Sequence, residues 1–321
     1  MSNPWTRWAD LLDRREDATP LALARIVASV TVFLHLATMW LSGTAMGVWV
    51  AVKHGGIRES DLSWLEPFGG ATPLNIQLLL ALGLVSSALM AVGLFTRVTA
   101  VLTYLSFRVL TGLNCHAGGS SDDLLVNGLF LLMLSGCGGA LSLDRRGQPP
   151  LAVPVWPRYV LIGQLVLVYW TTGLQKVSAA WLPGGPLDAL WYIFQQPAWQ
   201  RRSMYWLASL FPLTRLGTLV TWCFEWAAPL LLLAFWFRYT KERAGRVRAF
   251  FNRIDFRTLY LGLGLVLHLG IWVTLEVGPF FGGIFTLYVC CFTADEYRAF
   301  AARLRATSAL RRPRRSPSAP W

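Results

Sequence analysis

Charged residues and recognisable enzyme motifs are both scarce in this sequence. Only 14% of its 321 residues are charged, whereas 55% are hydrophobic, and the mean hydropathy is +0.46. This composition excludes an ordinary soluble domain and predicts a polytopic membrane protein. The sequence also has no GxSxG, HExxH or P-loop motif, and no GxGxxG ahead of a predicted parallel strand. None of the common soluble-enzyme signatures therefore applies.

Cysteine and lysine are few. The five cysteines form neither a CxxC pair nor a Cys/His spacing typical of zinc, so we expect no metal site; they stand at positions 115, 137, 223, 290 and 291. The three lysines are Lys53, Lys176 and Lys241. Any function that needs a lysine is therefore restricted to very few positions.

The net charge of +12 comes from Lys and Arg residues that lie mainly between and after the apolar runs. At such positions they orient helices and meet anionic lipid headgroups. We therefore expect the lipid bilayer as a partner, and no nucleic acid. If the N-terminus is cytoplasmic, 21 of the 29 Lys and Arg residues fall inside and 6 outside, which predicts that both termini are cytoplasmic.

Apolar runs long enough to cross a bilayer predict an all-α fold, a polytopic transmembrane helical bundle of about eight spans. Residues 1–20 form a cytoplasmic segment without a cleavable signal, 21–295 the transmembrane domain, and 296–321 a basic tail expected to be disordered. The aromatic segment 177–215 is expected to lie on the outer surface as one or two interfacial helices. The predicted spans are 21–42, 74–95, 98–113, 124–143, 157–176, 216–237, 258–276 and 278–293.

Four ionisable residues stand out inside the predicted spans, where a charge costs at least about 2.5 kcal/mol. Arg108 and Glu225 come out near mid-membrane. They either form a buried ion pair that fixes helix packing or support a polar cavity. His268 lies at similar depth and His35 nearer the outside, and each is either an interhelical hydrogen-bonding group or a proton carrier.

The loop LNCHAGGSSDDLL, from Leu113 to Leu125, gathers polar residues at the predicted outer ends of two helices. Its serines and aspartates, Ser121 and Asp122 among them, fit a helix cap. A cap does not account for Asn114, His116 and two glycines, which suit the approach of a ligand to the backbone. Lys176, at the end of the fifth span, is either a snorkelling lysine or a base in a desolvated pocket.

Two stretches carry a family resemblance. In FRVLTGLNCHAGGSSDDLLVNGLFLLMLSGCGGALSLD, residues 107–144, an Arg and an Asn precede a Gly/Ser-Asp turn, an apolar span and a closing Ser-Leu-Asp. VYWTTGLQKVSAAWLPGG, residues 168–185, has an aromatic, Gly, Lys, Trp, Gly pattern. With Glu225 before Pro229, and His268, these features resemble the HTTM superfamily, the membrane module shared with vitamin K-dependent gamma-glutamyl carboxylase. The resemblance covers most of residues 20–295.

The resemblance implies an extracytoplasmic side that binds reduced vitamin K and a propeptide-bearing substrate. The carboxylase's base, a lysine near the third loop, has no counterpart, because no lysine lies between 54 and 175. Small stand-alone members include proteins similar to the one that matures the sporulation-delaying peptide toxin of some bacteria, and the SSDDLL turn fits that branch.

The first hypothesis is an enzyme-like protein of a bacterial plasma membrane that receives a reduced, vitamin K-like quinone or a secreted peptide in an extracytoplasmic cavity. His116 or Lys176 would take a proton, Arg108 or Lys176 would stabilise the anion, and Asp122 would orient the base. The candidate catalytic residues are thus His116, Lys176 and Asp122, and the candidate cavity residues are Arg108, Asn114, Ser121, Glu225 and His268.

The second hypothesis is non-catalytic. A membrane partner would hold a secreted peptide or a small partner protein for maturation, export or immunity, with segment 177–215 as its docking surface. Transport is a weaker third hypothesis, because the mid-membrane charges are few and no pair of broken spans marks a central site.

Overall fold

The computed structural model describes residues 3–57, 65–114 and 116–310. Two short strands, β1 (Arg15–Asp17) and β2 (Ala152–Pro154), pair antiparallel. The α-helices are α1 (Pro4–Leu12), α2 (Thr19–Leu41), α3 (Thr44–Trp49), α4 (Pro73–Val92), α5 (Thr96–Gly112), α6 (Ser120–Leu134), α7 (Trp156–Gln175), α8 (Ala189–Gln195), α9 (Phe211–Trp226), α10 (Ala228–Tyr239), α11 (Arg246–Arg253), α12 (Phe256–Thr274), α13 (Phe280–Val289) and α14 (Ala294–Leu310).

Helix α2 lies at the centre of the bundle, where it packs against α4, α6 and α13. Its inward face carries small side chains, including the fully buried Ala24, Ala28 and Ser29. Small residues let helix backbones approach closely, which is how helices gain packing energy in a membrane. A second group of helices, α9, α10 and α13, packs around α7.

Four stretches are long and apolar enough to cross a membrane: Thr19–Leu41, Pro73–Val92, Tyr205–Trp226 and Phe256–Thr274. Two shorter helices, α10 and α13, are also apolar. The chain is therefore an all-α helical membrane protein, as the sequence predicts. The number of spans and the side on which the termini lie stay predictions.

The helices run alternately between two ends of the bundle. The end where α2, α7 and α12 begin carries β1, β2 and the start of α14, and we call it the terminal end. The opposite end, the loop end, carries the α5–α6 turn, the segment 177–210 and the α12–α13 turn. The polar side chains of the described residues thus form two sets, one at each end of the bundle.

Two predicted spans differ from the structure. The fourth, 124–143, ends as a helix at Leu134. The glycines that follow pack closely on other segments: a Cβ on Gly138 would lie 2.8 Å from the Cβ of Thr96 on α5, and a Cβ on Gly136 would clash with Cγ1 of Val153 in β2. The sixth, 216–237, is broken between α9 and α10 at Ala227. Pro229 has no N–H to donate to the carbonyl of Glu225, four residues earlier, so the helix cannot continue straight through.

The prediction of a disordered tail from residue 296 is wrong for its first part, since α14 extends to Leu310. Thr293 and Glu296 form a capping box: the Thr293 N–H donates to the Glu296 carboxylate at 2.9 Å, and the Glu296 N–H donates to the Thr293 hydroxyl at 3.4 Å. This reciprocal cap starts a helix. The rest of the predicted tail, 311–321, lies outside the described residues.

Candidate functional site

Lys176 and Glu225 form a buried ion pair at the loop end. Lys176 follows the last residue of α7, and its Nζ lies 2.7 Å from Oε1 and 2.6 Å from Oε2 of Glu225, in the last turn of α9. The side chains are only 13% and 10% exposed. The predicted pair between Arg108 and Glu225 is therefore wrong: Arg108 is exposed on α5, and the structure shows no ion pair for it among the described residues.

The packing of two helices brings this pair together. A Cβ on Gly173 would lie 3.0 Å from the Cβ of Glu225, so α7 and α9 meet closely one turn before Lys176. The Nζ of Lys176 also lies 4.8 Å from the ring centroid of Trp181, a cation–π contact. Lys176 thus connects the end of α7, the kink after α9 and the start of the segment 177–210.

A buried hydrogen-bonded cluster lies below the ion pair. The hydroxyl of Tyr169, on α7, is 2.5 Å from Nε2 of His268 on α12 and 2.6 Å from the hydroxyl of Tyr288 on α13. Tyr169 precedes Lys176 by seven residues, about 10 Å along the helix. His268 is 5% exposed, and its Nδ1 has no hydrogen-bond partner among the described residues. We call these three residues the tyrosine–histidine cluster.

The α5–α6 turn is held together by its own polar groups. Asn114 donates from Nδ2 to the carbonyl of Val48 at 3.0 Å and accepts from the backbone N–H of His116 at 3.0 Å. The Asp122 carboxylate accepts from the backbone N–H of Gly119 at 2.8 Å. Asp122 therefore caps α6, and His116 is exposed. No hydrogen bond between the side chains of His116 and Asp122 occurs in the described structure.

The charge of Asp122 acts on a different histidine, His35 on α2, whose imidazole is mostly buried. The ring of His35 packs edge-on against that of Phe107, with the two ring centroids 6.1 Å apart. The Oδ1 atom of Asp122 is buried and has no hydrogen-bond partner among the described residues. Ser121 lies beside the start of α13, because a Cβ on Gly278 would be 3.8 Å from its hydroxyl.

A cavity of about 720 Å³ lies between α2 and the α12–α13 turn. Its inner part is apolar, with Val27, Val30 and Phe285 among its walls, and its outer part carries His35 and Thr38. Arg201 and Glu276 also line it and form an ion pair of 3.1 Å, with Arg201 5.5 Å from the ring centroid of Trp272. We call this space the loop-end cavity.

The structure separates the predicted site residues. Lys176, Glu225 and His268 lie in one group, Asn114, His116, Ser121 and Asp122 in another, and Arg108 in neither. No hydrogen bond or ion pair joins the two groups within the described ranges. Sequence reasoning did not single out Tyr169, Tyr288, Arg201 or Glu276; of these, Tyr169 lies two helical turns before Lys176, which places both on one helix face.

The fold and these buried polar groups define a polytopic helical membrane protein with titratable side chains in the loop-end half. A comparison with protein families identifies it further: the HTTM domain model matches residues 13–193, more than half of the chain, and the chain belongs to this family. No curated protein and no solved structure matches the chain. The matched range includes Lys176 and the α5–α6 turn, whereas Glu225, His268 and the α12–α13 turn follow it.

Proposed function

We propose that this HTTM protein takes a lipid-soluble quinone, or part of a secreted peptide, into the loop-end cavity from the outer half of a bacterial plasma membrane. The proposal rests on the presence and size of this cavity. Its volume of about 720 Å³ falls in the range of small-molecule sites, about 300 to 1,000 Å³. The excess of Lys and Arg in the connections of the other end supports an extracytoplasmic loop end.

The walls of the loop-end cavity fit an amphiphile with a flat polar head. Leu34, which lines it, is 58% exposed on the outside of the bundle, so the cavity communicates with the lipid phase. A quinone or quinol presents two oxygens across one ring and carries an apolar tail. The guanidinium of Arg201 can donate to one oxygen, while His35 can exchange a proton with the other. The apolar inner part would hold the tail.

A reduced quinone, when bound, supplies electrons and an acidic hydroxyl. His35 has an acceptor nitrogen in its neutral form. Burial opposes the imidazolium formed when it takes a proton, and the negative charge of Asp122 offsets part of that cost. Arg201 is positioned to stabilise the oxyanion left on the ligand. In this scheme the predicted role of Asp122 as support of a base is kept, with His35 in place of His116.

Lys176 acts as a positioning residue in this scheme. Its Nζ lies 2.6 Å from Oε2 of Glu225 and 4.8 Å from the ring centroid of Trp181, and Lys176 does not line the loop-end cavity. The segment that it anchors returns to the cavity at Arg201, whose backbone N–H donates to the carbonyl of Thr274 at 3.0 Å. The ion pair therefore holds one end of the segment that supplies the cavity's cation.

The test is binding of short-chain menaquinone to the full chain in nanodiscs, with a photoreactive quinone to map the site. Removing one charged hydrogen bond costs about 1.5 kcal/mol or more, so Arg201→Gln should weaken binding about tenfold. His35→Ala should weaken it similarly. The neighbouring, exposed Arg202 does not line the cavity, and Arg202→Gln is the matched control. Equal binding by all three variants, or labelling away from α2 and α13, would exclude the quinone site.

A second function, docking of a secreted peptide, is favoured by the segment 177–210 at the loop end. Its aromatic side chains are exposed, with Tyr192 at 55% and Trp199 at 49%, although the segment is fixed at the end of α12 by a bridge between Gln200 and Leu275. If docking is the function, Tyr192→Ala should abolish complementation of a deletion strain while quinone binding is unchanged and His35→Ala complements fully. The reverse pattern supports the cavity.

A further inference from the structure

A second cavity, at the terminal end, has no part in the proposed function. It measures about 430 Å³ and lies among α7, α10, the start of α12 and the end of α13. Four guanidinium groups line it: Arg14, Arg158, Arg238 and Arg257. We propose that this cavity binds one anionic phospholipid, with the phosphate among the arginines and an acyl chain along α7 and α10.

The charges around this cavity leave a positive excess. Glu16 pairs with Arg158 at 2.5 Å, whereas Glu296 is shared between Arg238 and Arg257, and Asp255 lies 3.8 Å from Arg238. None of these carboxylates lines the cavity. Three carboxylates therefore face four arginines. Because the carboxylates approach the arginines from outside the cavity, the interior of the cavity carries positive charge.

Arg14 is the arginine left without an acidic partner. Its guanidinium donates to the hydroxyl of Tyr239 and lies 5.3 Å from the centroid of that ring, and no carboxylate pairs with it in the described ranges. Arg14 is exposed, and Tyr159 and Tyr239 contribute to the same cavity. The oxygens of a phosphodiester accept hydrogen bonds from guanidinium groups and from hydroxyls.

The other wall of the cavity distinguishes a lipid from a free phosphate. Ile162, Leu232 and Phe235 form an apolar surface beside the arginines, and Leu232 is 48% exposed on the outside of the bundle. The cavity lies where α7 begins and α10 ends, which in our proposal places it at a membrane–water boundary. A basic pocket between helices that opens to the bilayer is the arrangement that holds an anionic headgroup and leaves its acyl chain in the lipid phase.

The test measures lipid retention and thermal stability of the full chain. Nanodiscs of phosphatidylcholine are compared with nanodiscs that also contain phosphatidylglycerol, and native mass spectrometry counts retained lipids. We expect one phosphatidylglycerol to be retained and to raise the Tm. Arg14→Gln, which removes only an exposed side chain and its contact with Tyr239, should weaken retention about tenfold. Arg146→Gln is the matched control, because Arg146 is exposed and lines neither cavity.

A second variant tests the apolar wall with the charges intact. Leu232→Trp should fill the path of the acyl chain and reduce retention, and because Leu232 is half exposed it should leave folding unchanged. Equal retention of phosphatidylcholine and phosphatidylglycerol would overturn the proposal, as would equal losses in Arg14→Gln and Arg146→Gln. If inorganic phosphate alone raised the Tm as much as phosphatidylglycerol does, a lipid would be excluded as the source of the phosphate.

Discussion

The two ends of the bundle both bury charge, but with different residues. At the terminal end the buried cations are arginines, such as Arg25, which is fully buried and donates to four backbone carbonyls, and Arg158, which donates to Glu16 and to the carbonyl of Cys290. At the loop end the buried polar groups are Lys176, Glu225 and His268. Arginine keeps its proton in proteins, whereas lysine, glutamate and histidine can exchange theirs.

The different side chains suit the two ends to different roles. Arginines held by several acceptors fix the ends of helices to one another, because every donor has a defined direction. The loop end instead contains groups that can change charge, such as Glu225 and His268. Buried atoms without a hydrogen-bond partner among the described residues occur at both ends, for example Nε of Arg25 and Nδ1 of His268, so they do not distinguish the ends. Our proposals accordingly give the terminal end an anchoring role and the loop end a role in proton exchange.

The largest effect on stability is expected when a substitution breaks the loop-end ion pair. Lys176→Met leaves the carboxylate of Glu225 buried without its cation, and removal of one partner of a buried pair costs about 3 to 5 kcal/mol. The double variant Lys176→Met/Glu225→Leu should recover most of that loss, because neither charge is then buried. Reversible unfolding in mixed micelles measures both.

The exposed Lys241 provides the control for this substitution. Its side chain is 73% exposed and its nearest carboxylate oxygen lies 3.9 Å away, so Lys241→Met should change the free energy of unfolding by less than about 0.5 kcal/mol. If Lys176→Met cost no more than that, the Lys176–Glu225 pair would be unimportant for stability, and the contrast between the two ends would be lost.

A smaller loss is expected at the terminal end, where Glu296 has two arginine partners. Arg257→Gln removes a buried donor to Glu296 and to the carbonyl of Cys291. Because Arg238 still neutralises Glu296, we expect a cost of about 2 kcal/mol. Arg238→Gln, at a side chain 46% exposed, should cost about 1 kcal/mol or less. Equal costs would show that burial does not distinguish the two arginines.

The pH dependence of stability should also differ between the ends. Burial acts to raise the pKa of Glu296, but hydrogen bonds from Arg257 and the Thr293 N–H, with the charges of both arginines, lower that pKa to about 2. The pKa of Asp17 is lowered too, against its burial, by hydrogen bonds from Thr19 and Arg298. Stability from such carboxylates is complete above their unfolded pKa and is lost as the pH falls through that value toward the folded one.

The measurement is the free energy of unfolding between about pH 6 and about pH 3, which spans the unfolded pKa of a glutamate. The wild-type protein should lose stability across this window, and Glu296→Gln should lose less because it has no proton to take up there. Glu242→Gln is the control, since the Glu242 side chain is 87% exposed, and its pH profile should match the wild type. A Glu296→Gln profile as steep as the wild type would exclude this carboxylate as the source.

Much of the bundle could be predicted from hydropathy. The first predicted span, 21–42, is α2 (Thr19–Leu41), and the second, 74–95, is α4 (Pro73–Val92), because an apolar run in lipid must satisfy its own backbone hydrogen bonds. The start of α14 could also have been predicted, because the T-x-x-E pattern of Thr293 to Glu296 is typical of a capping box. The basic composition of the C-terminal region led instead to a prediction of disorder.

Side-chain pairing could not be read in the same way. Glu225 pairs with Lys176 instead of Arg108 because of how α7 and α9 pack at Gly173, and helix packing across 49 residues leaves no periodic signal in the sequence. The loop-end cavity combines His35 with Arg201 and Glu276 from distant segments. Their approach depends on the α12–α13 turn, which the sequence does not orient.

The smallest effect on stability, and the sharpest comparison of the two ends, comes from one substitution made at two caps. Asp144 accepts from the N–H groups of Phe95 and Thr96 at 2.8 Å and caps α5 at the terminal end, as Asp122 caps α6 at the loop end. Asparagine also accepts at a cap, so Asp122→Asn and Asp144→Asn should each cost only about 0.5 kcal/mol.

The two variants should nevertheless differ in binding. Asp122→Asn removes the negative charge that acts on His35, so it should weaken short-chain menaquinone binding and change its pH dependence. Asp144→Asn should leave both unchanged, since Asp144 does not line the loop-end cavity. Unchanged binding in Asp122→Asn would reduce Asp122 to a cap equivalent to Asp144. Proton exchange at His35 would then need no carboxylate behind it, and the difference between the ends would rest on the histidine alone.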